Sequence, residues 1–583
     1  MMPLRWSLSP LGRGLGAAEW AITSLPGLAL LLDVDIAAPY DDAYRVTSIT
    51  DSVGGRVFSK GTYYPSIYAH ESGIGGRRAI HFINNTYLRT TTNLLSGQIG
   101  AFIAVFRHND ATLNTYTALF GSADEATSYS KFMAMCGNPS AVDSKDGATE
   151  TYPSGNSIIR KNMPTSLVIT SDGSQYRFWV NGVAQTISGT NNGRWWGDIP
   201  DRDNMTVGVL KYSNEVFKYL GDIALIAICD GQVPSDQDIA DLHDYISEHY
   251  EIAMRASQIA ISTPVPYTVY QRNGSDQHDI AITGTYVGTP THIEARFNGG
   301  SWTEITASPT GGAFSGTLSA QGACLLADLE VRFSNDTPIT FTQPCIGIGD
   351  IFICDGQSNM SGRGDNSQAT TGVYGLFGND YRWKKLTDPY DRNWGMVDGV
   401  SNDGTAAGSW VLLLADAISA ITGYAVAFVP CALGGTLSSQ WLPSADHNDR
   451  TTFYGSANYR TTTVGGARCA LWWQGEQDAY ESVSEATYNS NLDTIANAIN
   501  ADQGIKLMPC KLQNLDPAGY SNVNVNAAIT TAWADNANVL TGPDFSDITP
   551  VDADQQVHFR TDAQLQLAAS RWATAIATAF GWT

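Results

Sequence analysis

From residue 26 to about 254 apolar and polar positions alternate in short runs, RAIHFI, IGAFIAVF, TSLVIT, YRFWVNG and IALIAIC, each bounded by Gly, Asn, Ser or Thr. A period of two turns every second side chain toward one face, so these runs predict a β-sandwich. The segment closes on GDIALIAICDGQVPSDQDIADLHDYISEHY, where the period lengthens: Ser235 fits a helix N-cap, and Ile239, Leu242 and Ile246 make one helical stripe. Residues 1–25 stand apart as an N-terminal segment, and 255–263 read as a linker. From 264 to 344 short strands return (YTVYQR, HDIAIT, THIEARF, LEVRFS), predicting a second, small immunoglobulin-like sandwich.

At about residue 346 the pattern changes again, and 346–583 read as a third domain. Wholly apolar runs, IGIGDIFI, YAVAFVP, ARCALWW and KLMPCKL, alternate with helical stretches. In one of these Tyr488, Leu492, Ile495 and Ile499 follow Ser484; in another Ala568, Trp572, Ile576 and Phe580 follow Thr561, which with Gln564 has the spacing of a capping box. Strands buried on both faces and interleaved with helices predict an α/β domain around a parallel sheet. Open sheets of this kind hold their sites at the carboxyl ends of the strands.

Composition narrows the possibilities. At 583 residues, with 43% hydrophobic and 16% charged positions, the chain suits several packed cores rather than disorder. The formal net charge of −23 disfavours nucleic acid and anionic membrane surfaces as partners. The run PGLALLLDVD is too short and too acidic at its end for a secretory leader, and no run approaches the ~20 apolar residues of a membrane helix. Eight cysteines lie scattered without a C-x-x-C pair, so no zinc site is expected; Cys324 and Cys345 could bridge within one domain.

The strand ends carry the candidate chemistry. After the first comes Gly356-Gln357-Ser358-Asn359-Met360, after the second Gly434-Gly435-Thr436, and after the third Gln474-Gly475-Glu476-Gln477-Asp478; before the last helix lie Asp552, Asp554 and His558. One hydroxyl, one imidazole with carboxylates nearby, glycines that expose N–H groups and a side-chain amide are the parts of acyl transfer to serine. The G-x-S-x-G elbow is absent, since Met360 stands in its fifth position. Gly356 allows a sharp turn off the strand, and the helix start after it offers N–H donors and a favourable dipole.

Together GQSNM, the GGT block, WWQGE and a late Asp/His pair resemble the SGNH hydrolase superfamily, in its sialate O-acetylesterase and carbohydrate esterase branch, over residues 346–583. The resemblance implies a flavodoxin-like α/β domain that removes O-acetyl groups from a sugar or polysaccharide through an acyl-serine intermediate, with no metal or organic cofactor. It implies Ser358 as nucleophile and His558 as base. The oxyanion would be held by the backbone N–H groups of Ser358 and Gly435 and by the Gln474 side chain, with Gln477 the competitor. The superfamily places Asp three residues before the His, but position 555 here is Gln. Asp554 is the favoured carboxylate, with Asp552 or a Ser-His dyad as alternatives. Glu476 and Asp478 are expected to brace loops.

RAIHFINNTYLRT, FWVNGV and a closing strand and helix resemble laminin-G-like, concanavalin A-type lectin modules, which implies a jelly-roll sandwich over 26–254 that either binds glycan or serves as a spacer. Trp195 and Trp196 could stack on sugar rings, although such neighbours commonly divide into one buried and one exposed ring. Tyr374, Tyr381, Trp383, Tyr390 and Trp394, and Trp441, Tyr454 and Tyr459, crowd two polar insertions and suit sugar stacking or subunit packing equally. His447 is expected in solvent or facing substrate. The whole resembles a bacteriophage tail spike, which implies an extracellular or virion-associated homotrimer. A catalytically silent adhesin and an SGNH lipase or thioesterase are the rival readings.

Overall fold

In the computed structural model the described residues are all except 1–20, 35–45, 62–64, 69–72, 76, 84–85, 110–116, 128–129, 137–139, 148, 157–158, 213, 394–395, 399–402, 551–556 and 583. The first region is two eight-stranded sheets. Strands β1 (Leu28–Asp33), β2 (Gly100–His108) and β3 (Gly221–Asp230) lie in one of them, β3 pairing antiparallel with both others. Along β2 the period of two is visible in the packing. Phe102, Ala104 and Phe106 enter the core between the sheets, while Ala101, Ile103 and Val105 face outward under helix α1 (Asp236–Tyr250). Ile239, Leu242 and Ile246 supply the helix side of that contact, and Ser235 caps it by accepting the Asp238 N–H.

Two expectations change here. Trp195 and Trp196 are both wholly buried, packed edge-on against Phe132 and Phe120, so neither presents a ring to solvent. The expected linker is in part strand β4 (Gln258–Thr263), whose Ile259 and Ile261 enter the second core.

That second core lies between a three-stranded sheet containing β4 and a sheet built on β5 (Cys324–Phe333) and β6 (Thr340–Gly356). Strand β6 has 17 residues and crosses the expected boundary at 345 without a break. Its first part pairs antiparallel with β5; from Gly349 it pairs in parallel with the strand Ala425–Pro430, and from Phe352 with Cys469–Trp473. At the crossover the strands approach closely: a Cβ on Gly349 would sit 1.9 Å from the Ala425 carbonyl oxygen. Asp350, fully buried there, joins Arg272 of the second region to Arg468 of the third. No disulfide joins any of the eight cysteines, so the Cys324–Cys345 bridge is not formed.

With β7 (Gly375–Phe377), β8 (Trp383–Lys385), β9 (Ala425–Pro430), β10 (Cys469–Trp473) and β11 (Leu507–Pro509), the third region has the strand order β8-β7-β9-β6-β10-β11. Five of these strands are parallel and β8 is an antiparallel edge. Helix α2 (Trp410–Thr422) packs on it, as do α3 (Glu485–Gln503) and α4 (Asp562–Phe580) through the stripes read from sequence, and Thr561 and Gln564 form the expected capping box. Among the described residues no helix is long and apolar enough to cross a membrane.

Asp355, near the end of β6, is almost completely buried with Oδ1 unpartnered; burial pushes its carboxyl up to about 7 from 3.8, against the pull of Arg460. A carboxyl raised in the folded state binds its proton more tightly there, so its contribution is most favourable below about pH 4 and is lost as pH rises to about 7. Asp355→Asn lacks that loss. Its stability relative to wild type is expected to increase between pH 5 and pH 8, as measured by urea unfolding; a flat difference would contradict a buried titrating carboxyl.

Candidate active site

The turn off β6 depends on Gly356. Its φ is +137°, and a Cβ there would meet the Trp473 carbonyl oxygen at 2.2 Å. Gln357 donates its N–H to that same carbonyl, and Ser358 opens a helix of only four residues, Ser358–Ser361. So short a helix has little dipole, and individual N–H groups count more than the expected macrodipole. His558 stands on the segment before α4, and its Nε2 lies 2.9 Å from Ser358 Oγ. Folding therefore joins two side chains 200 positions apart.

Asn359 holds that approach. Its Oδ1 accepts the Phe559 N–H at 3.0 Å, and its Nδ2 donates to Glu476 Oε1 at 2.7 Å and to the Val557 carbonyl at 3.2 Å. Gln513 donates to the same two acceptors, at 3.2 Å to Glu476 and 2.7 Å to Val557. Both neighbours of His558 are thus tied to the residue after Ser358. Burial pushes the Glu476 carboxyl up against these hydrogen bonds. Sequence reading had treated Asn359 as part of a motif and given it no task; its place beside the hydroxyl was the available signal. Asn359→Ala is expected to lower kcat about ten- to a hundred-fold and to destabilise the fold by about 1–3 kcal/mol, because Glu476 loses a donor in the interior. Steady-state kinetics and urea unfolding check the two effects; a stability loss with unchanged kcat would show that Asn359 does not position His558.

Around the hydroxyl, the N–H groups of Ser358 and Gly435 bond to no protein acceptor among the described residues. Gly435 has φ +73°, the left-handed conformation that turns its peptide. Gly434 is held one residue earlier: its N–H donates to Asp403 Oδ2 at 3.2 Å, and that oxygen also takes Arg363 at 2.6 Å. Burial alone would raise the Asp403 carboxyl, but the Arg363 guanidinium more than offsets this and holds it below its ordinary value.

Gln474 is corrected by the geometry. It is fully buried, and its Nε2 donates to the Thr436 carbonyl at 2.8 Å and to Asp478 Oδ2 at 2.6 Å, so both amide hydrogens are used away from the cleft. Asp478 also accepts from the Ser438 N–H and hydroxyl, which is the loop-bracing expected of it. Gln477 reaches the cleft wall, but its amide donates to Glu481 at 3.2 Å. The amide left for the cleft is that of Gln357. Its Oε1 accepts the N–H groups of Gly475 and Gln477, while its Nε2 has no protein partner among the described residues. Asp552 and Asp554 lie outside the described residues, as does Trp394.

The cleft encloses about 910 Å³ in front of Ser358 and His558. Its aromatic walls are Tyr480 and Tyr520, neither of them singled out from sequence. The insertion aromatics fall elsewhere: Tyr374, Tyr390, Trp441 and Tyr454 are buried, and Tyr381 stacks on Tyr459. His447 bonds Asp502 at 2.7 Å and is not part of the cleft wall. No group of three or more His, Cys, Asp or Glu side chains suited to a metal ion occurs among the described residues.

Residues 348–578 match a family model described as carbohydrate esterase, sialic acid-specific acetylesterase. A probable carbohydrate esterase from Arabidopsis thaliana is 26% identical over 247 residues, covering 38% of this chain and 87% of that protein. Among solved structures, a carbohydrate acetylesterase from Xanthomonas citri aligns at 17% identity with a TM-score of 0.37, over 56% of this chain and 76% of that one. An Arabidopsis thaliana protein aligns at 24% identity with a TM-score of 0.32, over 40% and 98%. Residues 348–578 are thus similar to the carbohydrate esterase, sialic acid-specific acetylesterase family.

Proposed function

We propose that the protein is a carbohydrate O-acetylesterase of SGNH type that works through an acetyl-Ser358 intermediate. The observation that carries this reading is the 2.9 Å contact between His558 Nε2 and Ser358 Oγ at the floor of an open polar cleft. His558 takes the hydroxyl proton as Ser358 Oγ attacks the ester carbonyl carbon. The negative charge that develops on the carbonyl oxygen meets the N–H groups of Ser358 and Gly435 and the Gln357 amide, which takes the place first given to Gln474. Collapse breaks the bond to the sugar oxygen, and His558 returns the proton to it. Water, deprotonated by His558, then attacks the acetyl carbon; the bond to Ser358 Oγ breaks, His558 returns the proton to that oxygen, and acetate leaves. Asp554 remains the carboxylate proposed to orient His558.

Arg363, Asp403, Glu476 and Gln477 give the cleft wall a polar character that suits a hydroxylated ring better than an acyl chain. Acetate release from an O-acetylated polysaccharide, compared with hydrolysis of a long-chain acyl ester, tests this. Preference for the long chain would sink the carbohydrate reading. For the N-terminal sandwich, the proposal is a glycan-binding module on an extracellular or virion-associated homotrimer.

A further inference from the structure

The turn that carries Ser358 continues past its short helix into Gly362 and Arg363. Arg363 Nη1 donates to the Gly362 carbonyl at 2.8 Å, and Nη2 donates to Asp403 Oδ2 at 2.6 Å. The same Oδ2 accepts the Gly434 N–H at 3.2 Å, while Oδ1 accepts the N–H and the hydroxyl of Thr405 at 3.0 and 2.7 Å. A carboxylate offers about four acceptor sites, and these four donors fill them. Asp403 is 2% exposed. Although it lies on the cleft wall, it has no acceptor site left for a substrate hydroxyl, so its role is sought in what it holds.

What it holds is the loop beside the nucleophile. A Cβ on Gly434 would sit 2.8 Å from Arg363 Nη2 and 3.5 Å from Ser358 Cβ, so this residue lies between the ion pair and the serine. Leu433 donates its N–H to the Gly356 carbonyl at 3.0 Å, and the Asp403 bond to Gly434 is the next anchor along the chain. It fixes the peptide immediately before the one that carries the Gly435 N–H. Two consecutive glycines have the widest choice of dihedrals, so an N–H that must point at one place needs such an anchor. The guanidinium keeps the carboxylate ionised, and a bond to an ionised acceptor is the stronger kind. We propose that Arg363 and Asp403 are positioning residues for the oxyanion site: through Gly434 they set the Gly435 N–H at a fixed offset from Ser358. The proposal rests on the acyl-serine reading above and adds to it two residues that touch neither the ester nor the oxyanion.

The test uses the full chain, 4-nitrophenyl acetate as a substrate without a sugar, and methylboronic acid as a probe of the oxyanion site. Ser358 Oγ adds to boron as its proton passes to His558, which leaves a tetrahedral anion resembling the acyl-transfer intermediate. Asp403→Asn keeps the side chain's size but turns one acceptor into a donor. Its kcat is expected to fall about 10- to 100-fold with KM changed far less, and its affinity for methylboronic acid to fall by a similar factor. Arg363→Lys, which keeps the charge without the fork, should lose less than Arg363→Met. Because Asp403→Asn leaves a guanidinium without its counter-charge, Arg363→Met combined with Asp403→Asn is the second variant; it should lose little more than Asp403→Asn, since both act on one peptide. Melting temperature identifies the folded variants. Unchanged kcat and boronate affinity in a folded variant would overturn the proposal, as would a rise in KM alone, which would make the pair a substrate contact. Failure of the esterase reading would appear separately, as no hydrolysis by wild type.

Discussion

Ser358→Ala is expected to lower kcat for an acetate ester by about 10⁵-fold or more while leaving the fold intact. The hydroxyl is the only atom lost, and it is the group that would form the acyl bond. His558→Ala should cost about as much, and the double variant little more than either single one, because nucleophile and base act as one unit. Independent, additive losses would contradict the 2.9 Å contact as a working pair. The measurement is initial rate on a chromogenic acetate, with thermal melting to confirm folding. Equal rates for wild type and Ser358→Ala would remove the enzyme reading altogether and leave an adhesin.

The second large effect belongs to Gln357. Substituting Glu keeps a side-chain oxygen for the N–H groups of Gly475 and Gln477 but replaces the free Nε2 by a second oxygen. A donor to the developing oxyanion becomes an acceptor, with charge of the same sign beside it. The expected loss in kcat is about 10²–10³-fold, the usual effect of removing one such donor, with KM changed far less. Gln474→Glu is the comparison. It disturbs Thr436 and Asp478, two carboxylates would then face each other in the interior, and stability rather than kcat should suffer first. If Gln474→Glu lost kcat at unchanged melting temperature while Gln357→Glu stayed active, the two assignments would have to be exchanged.

The Ser358–His558 pair was legible because open parallel sheets gather their chemistry at strand ends, so motifs far apart in sequence could be assigned to one edge. The choice among glutamines was not. Gln474 and Gln477, the two candidates, flank the turn after β10 while Gln357 stands on the turn after β6, and only the positions of the Thr436 carbonyl and Asp478 decide which amide hydrogens remain unused. Position 555 stays where the chain departs from the pattern of the superfamily it resembles, and Asp554 lies outside the described residues.

Of the domain plan, the alternating runs of the first sandwich and the apolar runs of the α/β sheet were visible because burial on one face or two leaves a periodic trace. The linker was misread because QIAIST is short, although Ile259 and Ile261 carry the alternation. The boundary near 345 falls inside β6, one uninterrupted strand that serves a sandwich and then, from Gly349, a parallel sheet, and a strand's own residues do not record which partners lie beside it. The same holds for the aromatics. Sequence counted rings in two insertions, but whether a ring faces a cleft or a core depends on neighbours contributed from elsewhere, and it was Tyr480 and Tyr520 that reached the cleft.

The sequence alone determined the periodicities, the capped helices and the set of groups available for acyl transfer, because these are local properties of spacing and residue type. Tertiary structure alone decided the continuity of β6, the Asn359 clamp on the His558 segment and which glutamine amide the described residues leave unused. Each of those depends on distances between residues that the chain separates and only long-range packing brings together.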